Sequence, residues 1–437
     1  MKRRHFLGNM AISGVAAGLS AKRVSASDTV TVGLMGCGGR GTLLISTLAK
    51  RPDVRIKYIC DVNQDKFART TAAVEDITGD MPKRIKDFRT MLDDPELDIM
   101  INATPHHWHG LGTVIACQAG KHVYVEKPVS QNIWEGRKMV EAARKYNCKV
   151  QGGMQNRSAE YLAKAREYIK SGKLGAIHQV RVMNMLNQSL IHEMPKEIPV
   201  PDGLDYDMLL GPAQKVPYRG KWPDRKFWNL GAGNIWDDAV HQFDIARWMI
   251  GKHYPDFVHS SGGVYMNGDG RECPDTQVAT WEYDDLLLHL HASTHMPYLK
   301  KTPHPIRASD QHPEWLTNAT RVEIFGTDGM MIVGRQGGGW VTFGKDGGEM
   351  DRAYGRNATP ENLGNLIDAI RTGATLNADI ELAHISTAMA HMSDISLRLN
   401  GRQLRFDGKK ETFPDDRDAA KLCKREYRKP WVIPEQV

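Results

Sequence analysis

The sequence predicts an α/β protein of two domains: a doubly wound parallel sheet first, then an α+β domain built on a large, mostly antiparallel sheet. Three observations carry this. Strand-like and helix-like stretches alternate from Val30 to Met154, as parallel strands joined by crossover helices do. The first strand empties into a glycine-rich loop, G-x-G-x-x-G, that opens a helix. Beyond Leu174 the strands succeed one another with few helices between them, which favours antiparallel pairing. At 437 residues the chain exceeds one typical domain and leaves each of the two enough apolar residues for a core.

In chain order, residues 1–26 read as an export signal. A basic start is followed by a mildly apolar stretch from Met10 to Leu19 and a small-residue site at Val24-Ser25-Ala26. The stretch is too short and glycine-rich for a lasting membrane anchor. Arg3-Arg4-His5-Phe6-Leu7 resembles the twin-arginine signal, whose machinery carries folded proteins to the periplasm or beyond. A cytoplasmic protein with a chance basic start is the alternative. Residues 27–154 then hold strands over 32–35, 55–60, 98–103, 122–125 and 149–151, with helices over 42–48, 107–118 and 134–146. In residues 155–437 a strand over 177–186 precedes a proline-rich, aromatic excursion through Tyr206, Tyr218, Trp222 and Trp228. A helix over 234–250, strands within 257–343, amphipathic helices over 361–371 and 382–399, and a tail from Asp415 that packs back on the fold complete the expectation.

The net charge is +6. Lys2, Arg3, Arg4, Lys22 and Arg23 supply most of it, with no acid before Asp28, so the remainder is about one charge from neutral and gives no basic patch for nucleic acid. Six cysteines without a C-x-x-C pair indicate neither a redox motif nor a zinc ribbon, and buried free thiols are expected.

The glycine loop is Gly36-Cys37-Gly38-Gly39-Arg40-Gly41. Gly36 permits the tight turn, Gly38 lacks the Cβ that would strike a pyrophosphate, and Gly41 lets the helix pack closely on the strand, so the loop presents backbone N–H groups to a dinucleotide in the Rossmann manner. Asp61 ends the second strand about twenty residues further on, where its carboxylate can accept both ribose hydroxyls. Its charge repels a 2'-phosphate and no base follows at once in Val62-Asn63-Gln64, so NAD is favoured over NADP. Ala103-Thr104-Pro105-His106-His107-Trp108-His109 and Glu126-Lys127-Pro128 lie at the carboxyl ends of parallel strands, the side on which such sheets bind ligands. A lysine there can hydrogen-bond a substrate hydroxyl. Asp237, His241 and Asp244 stand at i, i+4 and i+7 on one helix face, an imidazole with a carboxylate one turn away. A solvated acidic face with one histidine is the alternative for that helix. His106, His107, His109, His241, His289, His291 and His295 lack the carboxylate-rich or His-Glu-x-x-His pattern of a metal centre, so no metal is expected.

Together these segments resemble the Gfo/Idh/MocA family, the glucose-fructose oxidoreductase and inositol dehydrogenase group. The likeness runs through the glycine loop, Ala-Thr-Pro with His109 four residues past the proline, Gly120-Lys121-His122-Val123 leading to Glu126-Lys127-Pro128, Asp237-x-x-x-His241-x-x-Asp244, and Arg428-Lys429-Pro430-Trp431 near the end. The resemblance implies a sugar or polyol oxidoreductase in which Lys127 binds the reacting group, His241 is the acid/base and Asp237 supports it. Gly36, Gly38, Gly39, Arg40, Gly41, Asp61, Thr104, Pro105, His109 and Glu126 are then the cofactor side. Trp108, Asn156, Arg157 and Asp244 are the substrate side. His106 replaces the family's usual asparagine, and Gln155-Asn156-Arg157 matches the substrate-side motif only in part. A nucleotide held tightly by an exported enzyme and a homodimer or homotetramer are further expectations. Two other functions fit the sequence: an NAD-dependent glycoside hydrolase working by transient oxidation and elimination, and a non-catalytic sugar- or nucleotide-binding protein. Tyr218, Trp222 and Trp228 are candidate sugar-stacking rings, with core or interface packing as the alternative.

Overall fold

The computed structural model describes residues 29–188, 190, 192–220 and 226–437; the export signal and Trp222 lie outside them. The first sheet contains β1 (Val30–Met35), β2 (Val54–Cys60), β3 (Lys83–Ile85), β4 (Ile99–Asn102), β5 (His122–Val125) and β6 (Val150–Gly152). Its order is β3-β2-β1-β4-β5-β6, and every pairing is parallel. β1 and β4 are buried along their whole length, because helices cover both faces. Gly79, at φ +77, ends the Phe67–Thr78 helix, and the Asn132 side chain caps Ile133–Lys145 by accepting from the Glu135 N–H at 2.9 Å.

The second sheet contains β7 (Ile177–Met185), β8 (Phe257–Gly263), β9 (Thr276–Glu282), β10 (Leu287–Ser293), β11 (Thr320–Gly326), β12 (Gly329–Gly334), β13 (Trp340–Gly344), β14 (Glu349–Ala353) and β15 (Leu404–Arg405). Its order is β14-β13-β12-β11-β7-β10-β9-β8-β15. The sheet is mixed: β7 and β10 run parallel, since the long excursion between them returns the chain to the same end, and the other pairs are antiparallel. Alternation along β7 buries Val180, Val182 and Asn184 beneath the Gly233–Ile250 helix, against which Ile380–Arg398 packs. Trp236, Phe243 and Trp281 lock that layer, with ring centroids 4.4 to 6.0 Å apart.

The two sheets are joined by more than a linker. Leu363, Leu366 and Ile367 of the Thr359–Thr372 helix share one apolar cluster with Val32, Leu34, Leu44 and Ile99. The Gly152 N–H of β6 donates to the Ala378 carbonyl at 2.8 Å. The tail returns as expected: Trp431 packs on Trp108 at 5.1 Å, and Arg425 pairs with the buried Glu135 at 2.8 Å. All six cysteines are free and buried. Among the described residues no helix is long and apolar enough to cross a membrane.

Candidate active site

A cavity of about 600 Å³ opens between the carboxyl ends of the first sheet and the Gly233–Ile250 helix. At one end the chain leaves β1 through Gly36, whose φ of +100 and 2.7 Å Cβ-to-Ala103 carbonyl approach exclude a side chain. A Cβ on Gly41 would stand 1.9 Å from the Gly36 carbonyl oxygen, whereas Gly38 and Gly39 face open space. Gly38 caps the Gly39–Ala49 helix without a side-chain hydrogen bond, which leaves the helix N-terminal amides for a ligand. The Asp61 carboxylate is aimed by two backbone donors, Cys37 N–H and Asn63 N–H, each at 2.8 Å. Burial pushes its pKa up, partly offset by those donors and by Lys66. Lys66 lies just past the stretch read for a base, and it too lines the cavity. An open glycine cradle, a helix N-terminus and an oriented carboxylate fit a dinucleotide.

Thr104, Pro105, His109 and Glu126 also line the cavity. Glu126 is buried and receives Arg40 Nε at 2.7 Å, an ion pair that ties the glycine loop to the end of β5. The His109 ring lies between the Pro128 and Thr104 carbonyls, at 2.6 and 2.9 Å, and burial lowers its pKa to about 4. As a neutral ring it donates to one of these carbonyls and rests its other nitrogen against the second.

Lys127, Asp237 and His241 meet on the same wall. Lys127 Nζ donates to the Asp237 backbone carbonyl and, at 3.0 Å, to its carboxylate. His106 Nε2 lies 3.3 Å from that same oxygen. The Asp237 carboxylate, expected to support His241, engages Lys127 and His106 at the end of β5. His241 is 3% exposed, and its Nδ1 has no hydrogen-bond partner among the described residues. Burial, then Arg335, Lys127, Arg40 and Lys301, hold its pKa well below the usual histidine value. The imidazole is neutral and able to accept a proton.

The four expected substrate residues lie in the core instead. Asp244 takes both Arg157 Nε and Nη2, with a shortest contact of 2.8 Å, plus the Ser386 hydroxyl at 2.6 Å. Asp244 keeps nearly the same helix face as Asp237 but lies about 10 Å further along the axis, where Arg157 and Ser386 meet it away from the cavity. Trp108 donates to the Met208 carbonyl at 3.0 Å between Phe88 and Trp431. Asn156 is buried beside Gln155, and it is Gln155 that lines the cavity. Tyr218 reaches the cavity, whereas Trp228 lies under the Arg398 guanidinium.

The opposite wall holds residues that the sequence reading passed over. Arg335 and Gln336 line it, and Arg335 grips Asp238 through both Nη atoms at 2.9 and 2.7 Å. Their only signal was an arginine between an apolar strand and the run Gly337-Gly338-Gly339. His289 and His291 stack edge to face on the second sheet, and among the described residues no group of three or more His, Cys, Asp or Glu could hold a metal ion.

A Rossmann sheet followed by a sheet-and-helix domain, with a lysine and a histidine meeting at its ligand-binding edge, defines a nicotinamide-dependent oxidoreductase architecture. Family models agree. The NAD-binding Rossmann fold of the Gfo/Idh/MocA oxidoreductases matches residues 30–154, and two C-terminal domain models of that family match 212–332 and 306–433. The chain belongs to the Gfo/Idh/MocA family. Its relatives include the uncharacterized oxidoreductase YrbE of Bacillus subtilis, 24% identical over 69% of this chain and 72% of that protein. The myo-inositol 2-dehydrogenase of Thermotoga maritima is 23% identical over 57% of this chain and 63% of its own length, so the match spans less than two thirds of that enzyme. A glycosyl hydrolase family 109 protein of Saccharopolyspora erythraea is 33% identical over 28% of this chain and 27% of its own. Among solved structures, the WlbA dehydrogenase of Bordetella pertussis, in complex with NADH and UDP-GlcNAcA, superposes with a TM-score of 0.62 at 20% identity, covering 87% of this chain and 99% of that one. A levoglucosan dehydrogenase complexed with NADH and levoglucosan gives 0.64 at 17% identity, over 86% and 99%.

Proposed function

We propose that the protein is an NAD-dependent oxidoreductase that moves hydride between a carbohydrate CH–OH group and the nicotinamide. The observation that supports it is the convergence of Lys127 and His241 on one wall of the cavity whose other end is the glycine loop. His241, kept neutral, takes the proton of the substrate hydroxyl, while Lys127 donates to the same oxygen and stabilises its developing charge. Asp237 holds Lys127 in place. Bound nicotinamide supplies the hydride acceptor. The names of the inositol and levoglucosan dehydrogenases among its relatives agree with a sugar or polyol substrate. NAD is the preferred nucleotide, since Asp61 accepts ribose hydroxyls and opposes a 2'-phosphate, with Lys66 moderating the effect.

Lys127→Ala and His241→Ala should each cut kcat by about two to four orders of magnitude while sparing NAD affinity. Only His241→Ala should recover at high pH, where hydroxide replaces the base. A His241→Ala enzyme with wild-type turnover at neutral pH refutes the assignment.

The glycosyl hydrolase family 109 relative favours a second reading, transient oxidation followed by loss of an aglycone. Net accumulation of NADH with free sugars supports the dehydrogenase; aglycone release without it supports the hydrolase. Export through the twin-arginine route belongs to the same proposal: replacing Arg3 and Arg4 by lysine should strand a folded, nucleotide-containing protein inside the cell, and undiminished export refutes that route. Self-association as a dimer or tetramer through the broad second sheet completes it.

A further inference from the structure

The hydride-transfer proposal leaves the charged wall opposite Lys127 without a task. Arg335, 4% exposed, follows β12 and lines the cavity. Its two Nη atoms are spent on Asp238, and Lys301 Nζ takes the same carboxylate at 2.6 Å. Arg307 lies behind, bonded to neutral groups, the Thr302 carbonyl and Gln336 Oε1. One carboxylate therefore faces three cations. Elsewhere in the cavity Arg40 is matched by Glu126, and Lys127 by Asp237.

The imbalance shows in the titration of the group. Burial and Arg335 pull Lys301 down to about 8 and lower Arg307 likewise, while burial, then Arg40, lowers Arg335 against the pull of Asp238 and Asp237. Partly buried cations sharing one carboxylate repel one another, and a ligand that supplies a further negative charge relieves this. Arg335 also has unspent donors. A guanidinium carries five N–H groups, and its Nε–H is buried here without a partner among the described residues. Asp238 holds the fork by its far end, which leaves the Nε–H edge and the neighbouring Nη–H in the side-on arrangement that takes an oxyanion by two parallel bonds.

We propose that Arg335, backed by Lys301 and Arg307, binds an oxyanion substituent of the substrate, so that the preferred substrates are acidic sugars: uronates, or sugar sulfate or phosphate esters. The inference rests on the oxidoreductase reading of the same cavity. Asp237 and Asp238 are consecutive and His241 lies one turn beyond both. The helix thus sets the hydroxyl site on one side of the histidine and the anion site on the other, a separation suited to substituents of a single sugar ring.

The test compares kcat/KM with NAD for glucuronate against glucose and galacturonate against galactose, with glucose 6-sulfate and glucose 6-phosphate as further arms, and calorimetric binding of each. A charged hydrogen-bonded contact corresponds to about 10- to 100-fold in affinity, so acids should be preferred by at least about tenfold at low salt, and less as salt is added. Arg335→Gln should lower the acid-to-neutral ratio by about tenfold or more. Since that variant leaves Asp238 short of a buried partner, Lys301→Gln, at a side chain 37% exposed, provides a second reading of the same ratio, with a smaller fall expected. Preference confined to uronates, or to the esters, supports the proposal and names the anion. Neutral sugars used as well as acids, or a ratio that neither variant moves, overturns it and leaves the oxidoreductase reading standing. Acids that bind in an Arg335-dependent way without reducing NAD uphold the anion site and overturn the oxidoreductase reading instead.

Discussion

Replacing Asp244 by alanine separates a substrate contact from a structural one. In the structure its carboxylate answers the Arg157 guanidinium, 2% exposed, through contacts of 2.8, 2.9 and 3.1 Å, and accepts the Ser386 hydroxyl. Arg247 Nη2 stands 4.0 Å away and is itself buried, its pKa drawn down to about 10 by burial and by Arg157. Removing the carboxylate leaves two buried guanidiniums facing each other with no anion between them. Breaking one side of a buried pair costs about 3–5 kcal/mol. At about 2–4 °C per kcal/mol for a domain of this size, Asp244→Ala should lower Tm by about 6–20 °C, and Asp244→Asn, which keeps an acceptor for Ser386, by less. Thermal melts followed by tryptophan fluorescence measure it, with KM for an accepted sugar determined well below the transition. A Tm within about 2 °C of wild type together with a tenfold rise in KM would refute the structural assignment and return Asp244 to the substrate.

Asp61→Ala should weaken NAD by about tenfold or more and NADP much less, because only NAD loses charge-assisted bonds to its ribose while NADP is relieved of repulsion; equal losses in Kd would show that Asp61 does not reach the ribose. Acid should destabilise the fold before its carboxylates titrate: burial lowers His107 to about 3 and His109 and His391 to about 4, below the unfolded value near 6.5. The unfolded chain therefore binds more protons below that pH. The stability these rings contribute is complete above about pH 6.5 and is lost as pH falls toward 4, by about 1.4 kcal/mol per unit for each. A Tm that stays flat from pH 7 to 5 contradicts this.

The parallel sheet and the glycine loop were legible because each is encoded locally. The strand over 55–60 and its terminal Asp61 follow from apolar runs and a fixed offset, and the loop needs glycine at positions that the fold dictates by steric contact. Lys127 and His241 were legible as types of residue at the right ends of elements. What they touch was not. Helical spacing set Asp237 beside His241, but it could not show that the end of β5 brings Lys127 to the same carboxylate. The same spacing made Asp244 look like a third member of the site, although Arg157, 87 positions away in sequence, claims it. Arg335 and Asp238 are 97 positions apart, and no periodicity links them. The parallel pairing of β7 with β10 was hidden for a related reason: alternation reports which face is buried, not the direction of the neighbour.

The packing of the Thr359–Thr372 helix onto the Gly39–Ala49 helix and β5 sets a timetable for synthesis. A ribosome releases the first sheet about 200 residues before it reaches that helix, on the order of 10–40 s at ordinary elongation rates. During this interval Val32, Leu34 and Leu44 lack the cover of Leu363, Leu366 and Ile367, and β6 lacks the backbone partner it later finds at Ala378. The nascent chain is then a client for chaperones, displaying apolar surface at the level of its own nucleotide site. A transcript or protein cut short before Thr359 yields a sheet with one face uncovered, not a smaller nucleotide-binding module.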